Sequence, residues 1–229
     1  YMKQKAPVLL LHRDDMVLEP FLLKRTWRCC SVTALHQSSV YIGKLLVQGT
    51  VNSLGTGTIA AFTAASRIEG FANSFGDSGC ASVAVFVGQN MGTGCSRRAR
   101  EGFLAGIRLL LLLGLLSSFV MYVTAPAAMS FLLGAGSGAA FSQGTRYLRT
   151  ISVFYVLCFA GNGLVGYFNG TGRAAIPMAG AIMHLTLRVV LSWKFARITG
   201  LGAVGAATGI GWLAAFALWW GIYLHGRRS

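Results

Sequence analysis

Glu69, Asn73 and Asp77 follow one another at intervals of four residues, in a stretch otherwise built of small residues and phenylalanine. That spacing sets two carboxylates and an amide along one stripe of a helix, with Ser66 close by. A carboxylate in a partly dry cavity holds its proton more tightly than in water and can also coordinate Na⁺, so the stripe could exchange a cation for a cargo. The structural alternative is that Glu69 pairs with Arg67 or another base and that Asp77 accepts hydrogen bonds from its neighbours. Gln37 upstream and Asn162 downstream add amides that either line a cavity or join helices. Lys44, His184 and Arg188 are further polar groups in otherwise apolar surroundings. Lys44 and Arg188 are placed to face a cavity or a carboxylate, whereas Arg67 and Arg108 lie near enough to helix ends to reach water.

Other chemistry is poorly supported. Cys29, Cys30, Cys80, Cys95 and Cys158 show no CxxC spacing and no histidine in metal register, so neither zinc nor a disulfide framework is indicated. Six acidic residues in all leave few candidates for general acid or base work, and His12-Arg13-Asp14-Asp15 has no companion nucleophile. Catalytic residues and bound cofactors are therefore not expected. Gly161 to Gly166 formally satisfies a dinucleotide fingerprint, but no strand precedes it. Paired glycines four residues apart, such as Gly166/Gly170 and Gly205/Gly209, signal close helix approach instead.

The elements that must hold the polar stripe are membrane helices. Residues 203–224 run for 22 positions without a charge, and residues 103–125 carry only Arg108. Crossing about 30 Å of hydrocarbon takes roughly 20 residues, so each suffices. The chain is 54% hydrophobic and 11% charged, with 30 glycines in 229 residues, against roughly 25% charged in a soluble domain. Apolar runs, breakers and basic clusters place six spans at about 33–54, 57–92, 101–125, 146–168, 174–195 and 202–225. The fold class is thus an all-α integral membrane protein.

A net charge of +14 raises the possibility of nucleic acid, but the basic residues sit between apolar spans, where the positive-inside bias accounts for them. Twelve of the 20 lysines and arginines fall on the side that carries both ends of the chain. The other side can claim Arg146, Arg149, Lys194 and Arg197. Both termini are therefore expected on the cytoplasmic side of the cell membrane. Residues 1–31 read as a cytoplasmic loop or amphipathic segment without a signal peptide, 32–226 as the membrane lobe, and 227–229 as a basic tail. Beginning at Tyr1, the sequence reads as part of a longer chain.

Three stretches together resemble the multidrug and toxic-compound extrusion (MATE) transporters. The first is Gln48 to Gly55, followed closely by Ile59 to Glu69; the second is Val87 to Gly94 with its arginine-rich turn; the third is Phe168 to Pro177. Their order and spacing look like the carboxy-terminal six-helix lobe of that family over roughly residues 28–225. The resemblance implies half of a twelve-helix secondary antiporter, in which entry of H⁺ or Na⁺ drives export of small organic, often cationic, drugs by alternating access. It also implies an amino-terminal six-helix lobe as partner, with the bilayer as solvent. Glu69 aligns with a usual acid after Arg-Ile, while Gln37 and Asn162 stand in helices where some members carry acids. Glu69 is the first choice for a cation or substrate carboxylate, with Asn73, Asp77, Gln37 and Asn162 as polar lining and Phe75, Tyr155 and Phe159 as apolar walls. The rival readings are a lipid-linked oligosaccharide flippase of the same superfamily, with a more basic cavity, and a non-transporting membrane scaffold.

Overall fold

A computed structural model describes residues 19–134 and 138–226. The segment before Glu19, including His12 to Asp15, and the basic tail at 227–229 lie outside the described residues. By internal contacts the chain divides into Tyr1–Leu35 and His36–Ser229. In the first unit, the helical stretch from Pro20 exposes Phe21, Leu22, Leu23 and Trp27. The second unit carries the rest of the helical lobe.

Among the described residues the secondary structure is helical throughout, in the order α1 (Pro20–Asn52), α2 (Thr56–Gly92), α3 (Ser96–Leu133), α4 (Gly138–Ser152), α5 (Tyr155–Gly170), α6 (Ala175–Thr199) and α7 (Leu201–His225). Pro20 begins α1, where its fixed φ suits a first helical turn. No glycine or proline follows until Gly43, so the backbone does not break at residues 31 and 32. Glycines with positive φ make the reversals, at Gly55 after α1 and at Gly200 between α6 and α7.

The structure differs from the sequence expectation in two further places. The span expected at 146–168 is two helices, α4 and α5, bent by 49° across a short break. The third span extends at both ends into the 38-residue α3. At about 1.5 Å per residue α3 is roughly 57 Å long, so it projects beyond the hydrocarbon. By length and apolar content alone α3, α6 and α7 suffice to cross a membrane, and the bent α4/α5 pair passes the same test when taken together. The first two helices, of 33 and 37 residues, are long enough to cross and are more polar, because α1 carries Gln37, Lys44, Gln48 and Asn52, and α2 carries Arg67, Glu69, Asn73 and Asp77.

Burial is arranged for lipid. Leu109, Leu112, Leu115, Leu116, Phe119 and Val123 of α3 are exposed, whereas the opposite side of the same helix buries Phe103, Ile107, Leu110 and Met121. In water such a contiguous leucine face would be an aggregation surface. The core is aromatic, with Phe103, Tyr147, Tyr155, Phe159 and Phe168 fully buried. At Gly166 and Gly170, α5 meets α2 backbone to backbone: an added Cβ would stand 2.5 Å from the Cys80 carbonyl and 2.7 Å from that of Ala84. This is the close approach expected of the glycine spacing.

Candidate functional site

The polar stripe of α2 forms one wall of a cavity of about 780 Å³. Ser66, Glu69, Asn73 and Asp77 succeed one another along it, each a helical turn or nearly so from the last, and all four reach the same space. The facing walls come from α1 with Gln37, Tyr41 and Lys44, from α5 with Cys158 and Asn162, from α6 with His184 and Arg188, and from α7 with Trp212. All five residues singled out for binding, Glu69, Asn73, Asp77, Gln37 and Asn162, therefore line one cavity.

They are not equivalent there. Glu69 is only 8% exposed, and its Oε1 is buried with no hydrogen-bond partner. Its backbone carbonyl accepts a hydrogen bond from the Tyr155 hydroxyl at 3.2 Å, which ties α5 to α2 at this level. Arg67 points outward, and Glu69 instead lies in the field of Arg188 first and Lys44 second. The pairing of Glu69 with Arg67 weighed from sequence is thus not formed; the ion pair among the described residues joins Arg97 to Glu101 at 3.2 Å. Asp77 is exposed on the open side of the cavity, with Lys44 as its charged neighbour. Asn73 accepts a weak hydrogen bond from the Cys158 thiol at 3.8 Å. Asn162 packs against the backbone at Gly76, where a Cβ would come within 2.5 Å of its Nδ2. Gln37 is exposed on the rim.

Four formal charges line the cavity, Glu69 and Asp77 against Lys44 and Arg188. At the buried end Glu69 Oε1, the Tyr147 hydroxyl, His184 Nε2 and Arg188 Nε make no hydrogen bond of good geometry. Tyr147 comes from α4, is fully buried, and interacts with both Glu69 and Arg188. Buried polar groups left unpaired cost free energy unless water or a ligand satisfies them. This end of the cavity is accordingly its polar end.

Of the aromatic walls expected from sequence, Tyr155 and Phe159 are in the core, and Phe75 is half exposed with its ring edge-on to Phe71. The aromatic lining comes from residues that the sequence did not single out. Trp212 stacks on His184 at 6.1 Å, and the Tyr41 ring carries the Lys44 ammonium 5.2 Å above its centroid. Trp212 lies in an uncharged run, where nothing distinguishes a cavity residue from a lipid-facing one. Among the described residues no group of three or more His, Cys, Asp or Glu side chains is placed to hold a metal ion.

The chain matches the family model of MatE over residues 33–194. Comparison with curated protein sequences gives no match. Among solved structures, a crystal structure of MATE in the bent conformation superposes with a TM-score of 0.85 at 21% identity, over 100% of this chain and 50% of the other. The inward-facing conformation of a multidrug resistance MATE family transporter of the MOP superfamily gives 0.75 at 21% identity, over 97% of this chain and 53% of that one. A MOP superfamily transporter from Pyrococcus furiosus, described as having a binding pocket of reverse polarity that suggests a different function, gives 0.83 at 21% identity, over 95% and 49%. The chain thus spans about half the length of these structures, and the likeness is one of fold.

Proposed function

The chain belongs to the MatE family, a family of multi-pass membrane transporters, and from that premise we propose that it is the carboxy-terminal lobe of a secondary antiporter. In this reading H⁺ or Na⁺ enters as organic, often cationic, compounds leave, by alternating access of the cavity to the two sides of the membrane. Both ends of the chain lie on the cytoplasmic side. The amino-terminal lobe supplies the opposite wall.

The observation that carries the reading is the Glu69 carboxylate, buried to 8% exposure with one oxygen unpartnered at the wall of a cavity of about 780 Å³. Such a group can be neutralised either by a proton or by a cation, and the two compete for it. That competition is the elementary requirement of exchange, because the coupling ion and the cargo must not be bound together. Asp77 extends the negative path toward the open side, and Asn73, Asn162 and Gln37 offer dipoles without adding charge. Trp212 and Tyr41 supply aromatic faces that attract organic cations.

A second reading is favoured by one observation: Lys44 and Arg188 balance the two carboxylates. A cavity of that kind also admits an anionic cargo, such as a lipid-linked phosphate. The P. furiosus transporter, whose reverse pocket polarity is described as suggesting a different function, has the same fold.

The test is accumulation of a cationic dye in cells that express the complete protein. Expression should lower accumulation, and Glu69→Gln should restore it while leaving membrane insertion intact. Efflux by the Gln variant equal to that of the wild type at matched expression removes Glu69 from the mechanism. Loss of dye efflux in Glu69→Gln together with its retention in Arg188→Gln supports cation export over anion transport.

A further inference from the structure

A second pocket, of about 470 Å³, lies away from the central cavity where α3 packs on α4. Its walls include Tyr122 of α3 and Ser142, Thr145, Arg146 and Arg149 of α4. We propose that this pocket binds the phosphate of an anionic membrane lipid, with Arg146 and Arg149 as its ligands. The proposal stands independently of the cargo of the central cavity.

Depth is the first argument. Counting from Phe103 the roughly 20 residues that cross the hydrocarbon reaches Tyr122, a depth at which tyrosine rings sit at the headgroup level. Arg149 lies over the Tyr122 ring, 5.3 Å from its centroid, and so shares that depth. Arg146 precedes it by about one turn on the same helix, closer to the start of α4.

Charge is the second argument. No carboxylate lines the pocket, and among the described residues neither arginine has an acidic partner within ion-pair distance. Of the four described acids, Glu69 and Asp77 lie in the central cavity, Glu101 pairs with Arg97, and Glu19 precedes α1. Two guanidinium groups one turn apart can grip a phosphate through parallel N–H bonds. On the side of the membrane that is otherwise poor in basic residues, these two need a reason other than the positive-inside bias.

A third observation is the apolar face beside the pocket. With the phosphate held by the arginines, the acyl chains of such a lipid would extend over the exposed leucines of α3.

The complete transporter, purified in detergent, is analysed by native mass spectrometry after titration with phosphatidylglycerol or phosphatidylcholine. Phosphatidylglycerol should be retained selectively. The double variant Arg146→Gln/Arg149→Gln should weaken its retention by roughly 25-fold, at about fivefold per arginine. Arg97→Gln, far along α3, serves as the control and should leave retention unchanged. Equal retention of the two lipids overturns the proposal, as does undiminished phosphatidylglycerol binding by the double variant. Suppression of lipid retention by millimolar inorganic phosphate also overturns it, by assigning the pocket to a soluble anion. Should the double variant not purify as a monodisperse species, each single variant is measured, and a drop of about fivefold in each is required.

Discussion

The coupling between Glu69 and Arg188 can be measured without knowing the cargo. The two side chains line one cavity with Tyr147 between them, and they are not in ion-pair contact. At about 4 Å and an effective dielectric constant near 20, two unit charges attract by roughly 4 kcal/mol; at roughly 6–8 Å the figure falls to about 2–3 kcal/mol. Arg188→Met should therefore destabilise the protein by about 2 kcal/mol, because the buried Glu69 carboxylate loses its strongest electrostatic neighbour. Glu69→Gln should cost a similar amount by leaving Arg188 without its carboxylate. At about 2–4 °C per kcal/mol in a chain of this size, each single variant should melt roughly 4–8 °C lower in detergent. The double variant removes both charges and should melt no lower than either single one. Thermal unfolding of the four proteins, followed by tryptophan fluorescence, gives the double-mutant cycle. Additivity within about 0.5 kcal/mol would mean that the charges do not share a field across the cavity, and the argument that this end is built around a charge pair would be wrong.

Other expectations rest on single contacts. Tyr155→Phe removes the 3.2 Å bond to the Glu69 carbonyl and should cost about 1 kcal/mol in the same melting assay, so an unchanged midpoint would show that the bond carries no weight. Gly166→Ala drives a methyl group to 2.5 Å from the Cys80 carbonyl and should destabilise by about 1–3 kcal/mol, whereas Gly49→Ala, with nothing within 4 Å, should be neutral or better. Trp212→Phe should abolish most of the fluorescence quenching produced by an aromatic cation, while Trp193→Phe, an exposed residue outside the cavity, should leave it in place. Lys44→Gln should tighten binding of a cationic dye about fivefold or more, measured by equilibrium titration, as the charge balance of the cavity requires.

The part of the site that was legible in the sequence is the part governed by helical period. Glu69, Asn73 and Asp77 had to share a face wherever the helix lay, and that face had to avoid lipid. Gln37 and Asn162 were legible only as amides at membrane depth; nothing in their spacing told that they would face the same cavity, which depends on how α1 and α5 stand against α2. Tyr147 and Trp212 were not legible, because an aromatic residue in an apolar run looks the same whether it faces lipid or a cavity. Trp193, exposed on α6, and Trp212, on the cavity wall, make the point within one chain. The bend after Ser152 is not legible for a related reason: residues 146–168 contain enough apolar length for one span, and no proline marks the break.

Lys44 is the residue on which the two readings of the cavity diverge. It lies in the field of both carboxylates and places its ammonium over the Tyr41 ring. It therefore occupies, as a tethered cation, the kind of position that an organic cation would take: negative groups on one side and an aromatic face on the other. Removing its charge takes the cavity from a balance of two against two to a net charge of −1, with the Tyr41 face free. At an effective dielectric constant near 20 and a separation of roughly 8 Å, the lost repulsion toward a bound cation is up to about 2 kcal/mol, and solvent on the open side brings it nearer to 1 kcal/mol. For an anionic cargo the sign reverses, since Lys44 would then be half of the positive charge that holds it. Tighter binding of the cation in Lys44→Gln fits an exporter whose own lysine resets the site after release, whereas weaker binding of every cargo tested would leave that lysine as a ligand and the cavity as an anion site.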